Sequence, residues 1–390
     1  MIRAAVGLST QTDPTRAALE AAGQVAQRLD GCQPDFCITF STYENPDELS
    51  AMLATLSEAI GTPYVVGCSA AGILVPGREI EQGPAVGVLA VASDQIRATP
   101  FIFKDEGDHG MTAGVRVGQR LLGSRDSDDV LLVWPDPFHV RPDRLLQSLD
   151  AVLGNVPVIG GAASAQNGAT TTFQFCGTES QTSSVSGVRL GGNFRHVSGI
   201  TQGCRPLGEP MRVTRAHENL IFELEGRPAL ELLNERAPAN LLNDPQWALH
   251  FLFVGLVPDP ATADAGEYMV RNILSIDPEG GVLAIGDQIE DGQQIVFARR
   301  EPASARDDLS LLLERIGPRQ TGLDYRFGLY FNCLARGSSL YGEQGVDAAL
   351  LRQALPDVPL LGFFCNAEIG PLRGLNQLFT YTGVLMLVAD

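Results

Sequence analysis

Six side chains, in two settings, could carry chemistry. The first setting is Cys68-Ser69, inside Pro-Tyr-Val-Val-Gly-Cys-Ser-Ala-Ala-Gly at 63–72. A thiol or hydroxyl on a sharp strand exit suits a hydrolase nucleophile, whose usual elbow is Gly-x-Ser-x-Gly. Here the second glycine comes one residue late, and Ile73-Leu74-Val75-Pro76 does not read as a helix. A nucleophile also needs a base. No histidine accompanies this motif in sequence, although a distant one could fold close. Ligand contact through backbone and hydroxyl, or simple packing, are the other readings. The second setting is Asn332-Cys333-Leu334-Ala335-Arg336 with Asn366-Ala367-Glu368. Arg336 could fork a carboxylate and Glu368 could take an ammonium. Together they suit an amino-acid-like ligand; the alternative is that they pair with each other. Asn332 and Asn366 could orient a polar ligand or cap loop backbone. Their neighbours Cys333 and Cys365 read as small core residues.

The elements that must position these groups follow one plan, used three times. A proline opens an apolar run that passes straight into small or polar residues, at 63–72, 157–164 and 359–370. Proline is tolerated at the start of a strand, and an unbroken apolar run fits a strand buried on both faces. The glycines and alanines behind it admit a close neighbour, either a ligand or another strand. Each run is preceded by an expected strand and helix. Strand 36–40 leads to a helix that Asn45-Pro46 opens and Gly61 stops. Strand 130–134 leads to a helix starting at Pro142, and strand 326–333 to a helix over 346–355. The interval from Phe36 to Pro63 equals that from Val130 to Pro157, while that from Gly328 to Pro359 is longer. A Gly-Val follows on a strand each time, at 87–88, 187–188 and 383–384. Strands ending near 104 and 299 each precede a helix, which suggests a larger duplication. The expected fold is therefore mixed α/β, with two related halves, 1–215 and 216–390. Each would be a mixed sheet backed by helices, with an α-β-β-α sandwich as one way to stack them. In open α/β sheets ligands bind beyond the carboxyl ends of the strands. Arg336 and Glu368 each directly follow such a strand.

Composition narrows the function classes. With 390 residues, 44% hydrophobic and 19% charged, the chain is globular and long enough for two or three domains. A net charge of −18 repels phosphate backbones, which argues against nucleic acid as a partner. Lys104 is the sole lysine, a mark of a GC-rich bacterial genome. The seven cysteines are odd in number and scattered, without Cys-x-x-Cys, which fits reduced thiols in a cytosol. The five histidines have no metal-ligand spacing, so neither metal nor cofactor is expected. Scattered Gly-x-Gly fragments lack the strand–glycine–helix order of a nucleotide site. No signal-peptide core and no apolar run near the ~18 residues of a membrane span occur, so a cytoplasmic protein is expected.

In order along the chain, several runs resemble the FIST domain family in both its N-terminal and C-terminal parts. They are 66–72, 158–163, 222–229, 270–277, 331–337 and, most specifically, Leu-Gly-Phe-Phe-Cys-Asn-Ala-Glu-Ile-Gly-Pro at 361–371, then Tyr-Thr-Gly-Val at 381–384. The resemblance covers roughly 30–390. The family's arginine motif more often reads Gly-Arg-Gly; here it is Ala335-Arg336-Gly337. The resemblance implies a sensory, small-ligand-binding protein of bacterial signal transduction, with amino acids or similar molecules as ligands. Relatives often carry a fused kinase, chemoreceptor or cyclase, and eukaryotic relatives an F-box. None is found in this sequence, so a separate signalling protein is the implied partner. The leading expectation places the ligand at Cys68, Ser69, Asn332, Arg336, Asn366 and Glu368. A cysteine- or serine-dependent amidohydrolase using Cys68 or Ser69, and a ligand-free scaffold, are the alternatives.

Overall fold

The structure is a computed structural model that describes residues 1–121, 129–154, 156–238, 249–261 and 266–390. The chain forms two compact units. One comprises Met1–Ile200, Leu309–Leu378 and Thr382–Asp390; the other comprises Thr201–Asp308 with Phe379–Tyr381.

The first unit is built from three six-stranded sheets of one design. In each, two parallel strands lie at the centre, joined by a crossover helix. They are Phe36–Ser41 with Val65–Ser69, Val130–Pro135 with Val158–Gly161, and Tyr325–Cys333 with Leu360–Cys365. The crossover helices are Pro46–Ile60, Pro142–Leu153 and Val346–Ala354. The first starts as its sequence dictates. Asn45 accepts from the backbone N–H groups of Asp47 and Glu48, Pro46 fills the first turn, and Gly61 closes it with φ 80°. Its buried face is Leu49, Met52, Leu53, Leu56 and Ile60, the 3.6-residue stripe of an amphipathic helix. An antiparallel strand then flanks each parallel pair: Val86–Ser93, Ser184–Gly192 and Thr382–Ala389.

The other flank of each sheet belongs to a different repeat. After Ser69 the chain leaves its own sheet, and its hairpin, Ile73–Val75 with Arg78–Ile80, pairs with Leu360–Cys365 of the third. After Gly161 the hairpin Gln174–Cys176 with Glu179–Gln181 pairs with Val65–Ser69 of the first. After Cys365 the strand Glu368–Leu372, followed by Leu375–Phe379, pairs with Val158–Gly161 of the second. The three repeats thus exchange hairpins in a cycle. The small residues behind each apolar run accommodate a strand crossing from one sheet to the next.

Strand register makes Gly67, Gly160 and Gly362 equivalent, each opposite a residue of the neighbouring parallel strand. A Cβ there would lie 1.7, 2.0 and 2.4 Å from the carbonyl oxygens of Thr39, Val133 and Tyr330. The same register makes Phe40, Trp134 and Phe331 equivalent, and all three are fully buried. Phe40 meets Trp134 and Phe331 edge-on, with ring centroids 5.6 and 6.5 Å away, and Phe363 lies 4.3 Å from Phe40. One aromatic side chain from each repeat therefore fills a shared centre.

The second unit is mostly antiparallel. Its strand path runs through Gln294–Arg300, Met211–His217, Leu220–Leu224, Val282–Ile285, Met269–Asp277 and Leu252–Val257, and closes by pairing the last with the first. Val213, Leu224, Val254, Leu283, Ile295 and Phe297 form its core with Leu232 and Leu233 of the helix Ala229–Arg236.

The mixed α/β class, with sheets backed by helices, is as the sequence implied. The repeat in the backbone is threefold and confined to the first unit, where the sequence suggested two related halves. The reason is an insertion. In the first two repeats an edge strand, Ile2–Ser9 or Ile96–Lys104, leads into a helix, Pro14–Leu29 or Met111–Leu121. In the third, Arg195–Gln202 is the edge strand. The second unit intervenes before the helix Pro302–Ile316, so its own strand Gln294–Arg300 mimics the missing neighbour in sequence. The three Gly-Val pairs lie on the expected flanking strands but slip in register. Gly87 is opposite Phe40, Gly187 opposite Val133, and Gly383 opposite Asn332.

Gly160→Ala is expected to lower stability by about 3 kcal/mol, because backbone must move to admit the methyl. Gly23→Ala, in the helix Pro14–Leu29 with nothing within 4 Å of the added carbon, should raise it by about 1 kcal/mol. Urea unfolding midpoints of the first unit's transition, at unchanged slope, check both.

Candidate functional site

The three strand exits meet. Ala162 N–H donates to Ala367 O (2.8 Å), Asn366 N–H to Ala162 O (3.1 Å), and Phe364 N–H to Gly72 O (3.0 Å). The Ser164 hydroxyl ties all three repeats, donating to Phe364 O and accepting from Ala71 N–H.

Cys68 and Ser69 lie inside this junction. The Ser69 hydroxyl donates to Ser164 O at 3.1 Å and accepts from Phe173 N–H at 3.0 Å. Cys68 is fully buried, and burial pushes its thiol well above the usual range. No histidine or carboxylate is hydrogen-bonded to either among the described residues. Burial raises the Cys365 thiol too, reinforced by Glu368, Cys68 and Cys333 nearby.

Arg336 does not pair with Glu368. It is 1% exposed, and its Nε and Nη2 donate to Asp347 Oδ2 and Oδ1 at 2.9 and 3.1 Å. Nη2 also reaches the Tyr341 hydroxyl, and the hydroxyls of Tyr330 and Tyr341 both donate to Asp347. Nη1 is buried with no hydrogen-bond partner. Asn332 is fully buried, and neither its Oδ1 nor its Nδ2 has a partner. Glu368 is likewise buried. Its Oε2 accepts from Thr382 N–H (3.2 Å) and from the Thr382 hydroxyl (2.7 Å), while Oε1 has no nitrogen or oxygen partner. Burial pushes this carboxyl up to about 8, against the Thr382 bonds, the Cys333 thiol and the Arg336 charge, which pull it down.

Asn366 is the one predicted residue at an open surface. It lines a cleft of about 810 Å³ that takes a wall from each repeat. The first repeat contributes Ala71 and 81–83, the second Phe138 and 165–170, and the third Leu334 and Asn366. Glu81 is the only ionisable side chain in the lining. It accepts from the N–H and hydroxyl of Ser338, while its neighbour Glu79 accepts from Gly345 and Ala348 N–H at 2.9 Å each. The exchanged hairpin thus caps two helices of the third repeat, Ser338–Tyr341 and Val346–Ala354. Gln166 spans the cleft floor, its side-chain amide donating to Ala71 O and Gly83 O. Phe138 and Leu334 remain 43% and 38% exposed.

A larger cleft, about 1200 Å³, lies where strands of the first and third repeats begin, near Ile2 and Pro359. The smaller cleft lies at the strand exits and takes a wall from all three repeats, so it is the candidate site. Sequence reasoning missed Asp347, Glu81, Phe138 and Leu334. The two exposed apolar residues flanking strand exits were the available signal.

Residues 35–227 match the FIST N domain and 229–371 the FIST C domain. The chain belongs to the FIST family. FIST domains are associated with sensing in signal transduction. An uncharacterized protein of Mycobacterium tuberculosis is 32% identical over the full length of both chains. One of Mycobacterium bovis is 33% identical over all of this chain and 99% of its own. Among solved structures, a cyanuric acid hydrolase covers 100% of both chains at 9% identity, with a TM-score of 0.38. No helix among the described residues of this FIST protein is long and apolar enough to cross a membrane.

Glu368 carries a pH signature. Its folded carboxyl sits near 8 against an ordinary 4.5, so its full stability is present below about 4.5 and is lost as pH rises through about 8. Glu368→Gln should flatten the pH dependence of unfolding across that window and be the more stable protein at pH 8. Arg336→Met, which strands Asp347, should cost about 3–5 kcal/mol. Adding Asp347→Leu should restore much of that loss, read by a double-mutant cycle.

Proposed function

We infer that this FIST protein is a sensor for a small polar ligand of amino-acid size, seated in the cleft over the three strand exits. Its occupancy would be read by a separate signalling protein. One observation carries the reading: the cleft takes a wall from each of the three repeats. A molecule seated there touches all three at once, so binding favours whichever arrangement of the repeats fits it best. The segment 81–83 is continuous with the hairpin whose Glu79 and Glu81 hold the helices of the third repeat. Tightening of that segment on a ligand would be felt at those helix ends.

The amino-acid reading gave Arg336 the role of carboxylate fork. With Nε and Nη2 engaged by Asp347, Arg336 acts here as a positioning residue for the segment 332–347. Direct contact falls to Asn366 and its neighbours in the lining. The hydrolase alternative gains no support: the Ser69 hydroxyl is engaged by backbone on both sides, and burial disfavours the Cys68 thiolate.

Isothermal titration calorimetry across the amino acids, their amides and their amines tests the reading. At least one compound should bind wild type, and Asn366→Ala should weaken it about tenfold, the worth of one hydrogen bond. If no compound binds, or if Asn366→Ala and Phe138→Ala both bind as wild type does, the cleft is not the site.

A further inference from the structure

We propose that the cleft selects ligands without a free carboxylate, namely amino-acid amides or comparable amine-bearing molecules with an apolar side group, and rejects amino acids themselves. The proposal rests on the sensor reading given above and names its ligand class.

The argument begins with charge. Glu81 is the single ionisable group in the lining, and no arginine, lysine or histidine joins it. The next carboxylate is also acidic ground: Glu44 Oε1 accepts from Gln166 N–H at 2.8 Å. The nearest guanidinium along the chain, Arg336, is buried and already neutralised by Asp347. The whole chain carries −18. A ligand carboxylate entering this cleft finds no cation in the lining and the like charge of Glu81, and a like charge nearby disfavours the ionised form. An ammonium finds the opposite. A carboxylate offers about four acceptor positions, so Glu81 retains capacity beyond its bonds to Ser338.

The uncharged lining supplies the rest. Gln82, Asn167 and Asn366 are exposed amides, each with both donor and acceptor, and a ligand amide complements that pairing where a carboxylate offers acceptors only. Phe138 and Leu334 come from different repeats and are the large apolar side chains of the lining, both substantially exposed. Large exposed apolar groups beside convergent polar ones are the usual composition of a ligand site. They suit an aliphatic or aromatic side group.

A matched series isolates the carboxylate: leucinamide, 3-methylbutylamine, leucine and 4-methylpentanoate, titrated into the full chain by calorimetry at pH 7. Leucinamide and 3-methylbutylamine are expected to bind at least about 30-fold tighter than leucine, with 4-methylpentanoate weakest. Gln82→Arg, at an exposed position, places a cation in the lining and should improve 4-methylpentanoate at least tenfold while weakening the amine. If leucine or 4-methylpentanoate binds wild type as tightly as leucinamide, or if Gln82→Arg leaves the order unchanged, the selectivity is overturned and the sensor reading stands. If neither this series nor the wider panel binds at all, the sensor reading fails and the selectivity falls with it.

Discussion

The structure of the first unit depends on a steric constraint: at one position in each repeat, the carbonyl of the neighbouring parallel strand occupies the space a Cβ would need. Gly67, Gly160 and Gly362 hold that position. Each stands near the carboxyl end of a strand whose chain must immediately cross to another sheet. A side chain there would push the paired strands apart just where the crossing begins. Three such crossings, each feeding a hairpin to a different repeat, close the cycle. No repeat completes its own sheet, so none is expected to be stable alone.

The centre that this cycle creates is filled with side chains. Phe40, Trp134, Phe331 and Phe363 pack edge-on and tilted against one another, and the thiols of Cys68 and Cys365 are buried beside the exits. Aromatic burial on this scale stabilises the junction through apolar area and ring geometry together. It closes the middle of the sheets, and the open space is the cleft above the exits. Small residues at a strand exit therefore have two consequences here. They let strands cross, and they keep the surface above the crossing low enough to form a cleft.

Much of this was legible in the sequence. The three exits stood out because proline, an apolar run and small residues in that order have few other physical uses. The helices between were marked by caps and periodicity. Two things were not legible. The inserted second unit ends in a strand that leads into a helix, copying the local pattern of a repeat boundary, and local pattern cannot distinguish an insertion from a duplication. The partner of Arg336 was the second. Asp347 lies on the helix Val346–Ala354, and an isolated carboxylate on a helix reads as a solvated face. The hairpin carboxylates Glu79 and Glu81 were hidden for the same reason, since their partners are backbone N–H groups more than 250 residues away in sequence. Among the expected site residues, chain proximity to an exit was readable, but whether a side chain turned inward or outward was not. Asn366 faces the cleft, while Asn332, two residues before the lining residue Leu334, is buried.

That inward turn has a consequence for how the site could respond. Leaving a buried polar group without a partner costs about 1–3 kcal/mol. The third repeat bears this cost at Asn332 and at Arg336 Nη1. These two residues bracket Leu334, one of its two contributions to the cleft wall. In the other repeats Ser69 and Ser164 each both donate and accept, and Trp134 Nε1 of the second is the comparable buried atom without a partner. The stability of the three exits is therefore uneven. The third holds several polar groups at a disadvantage, so a rearrangement that pairs even one of them recovers free energy. Leu334 and Asn366 therefore lie on the segment with the most to gain from moving. The cap at Ser338 and the Arg336–Asp347 pair then connect that movement to the helix Val346–Ala354.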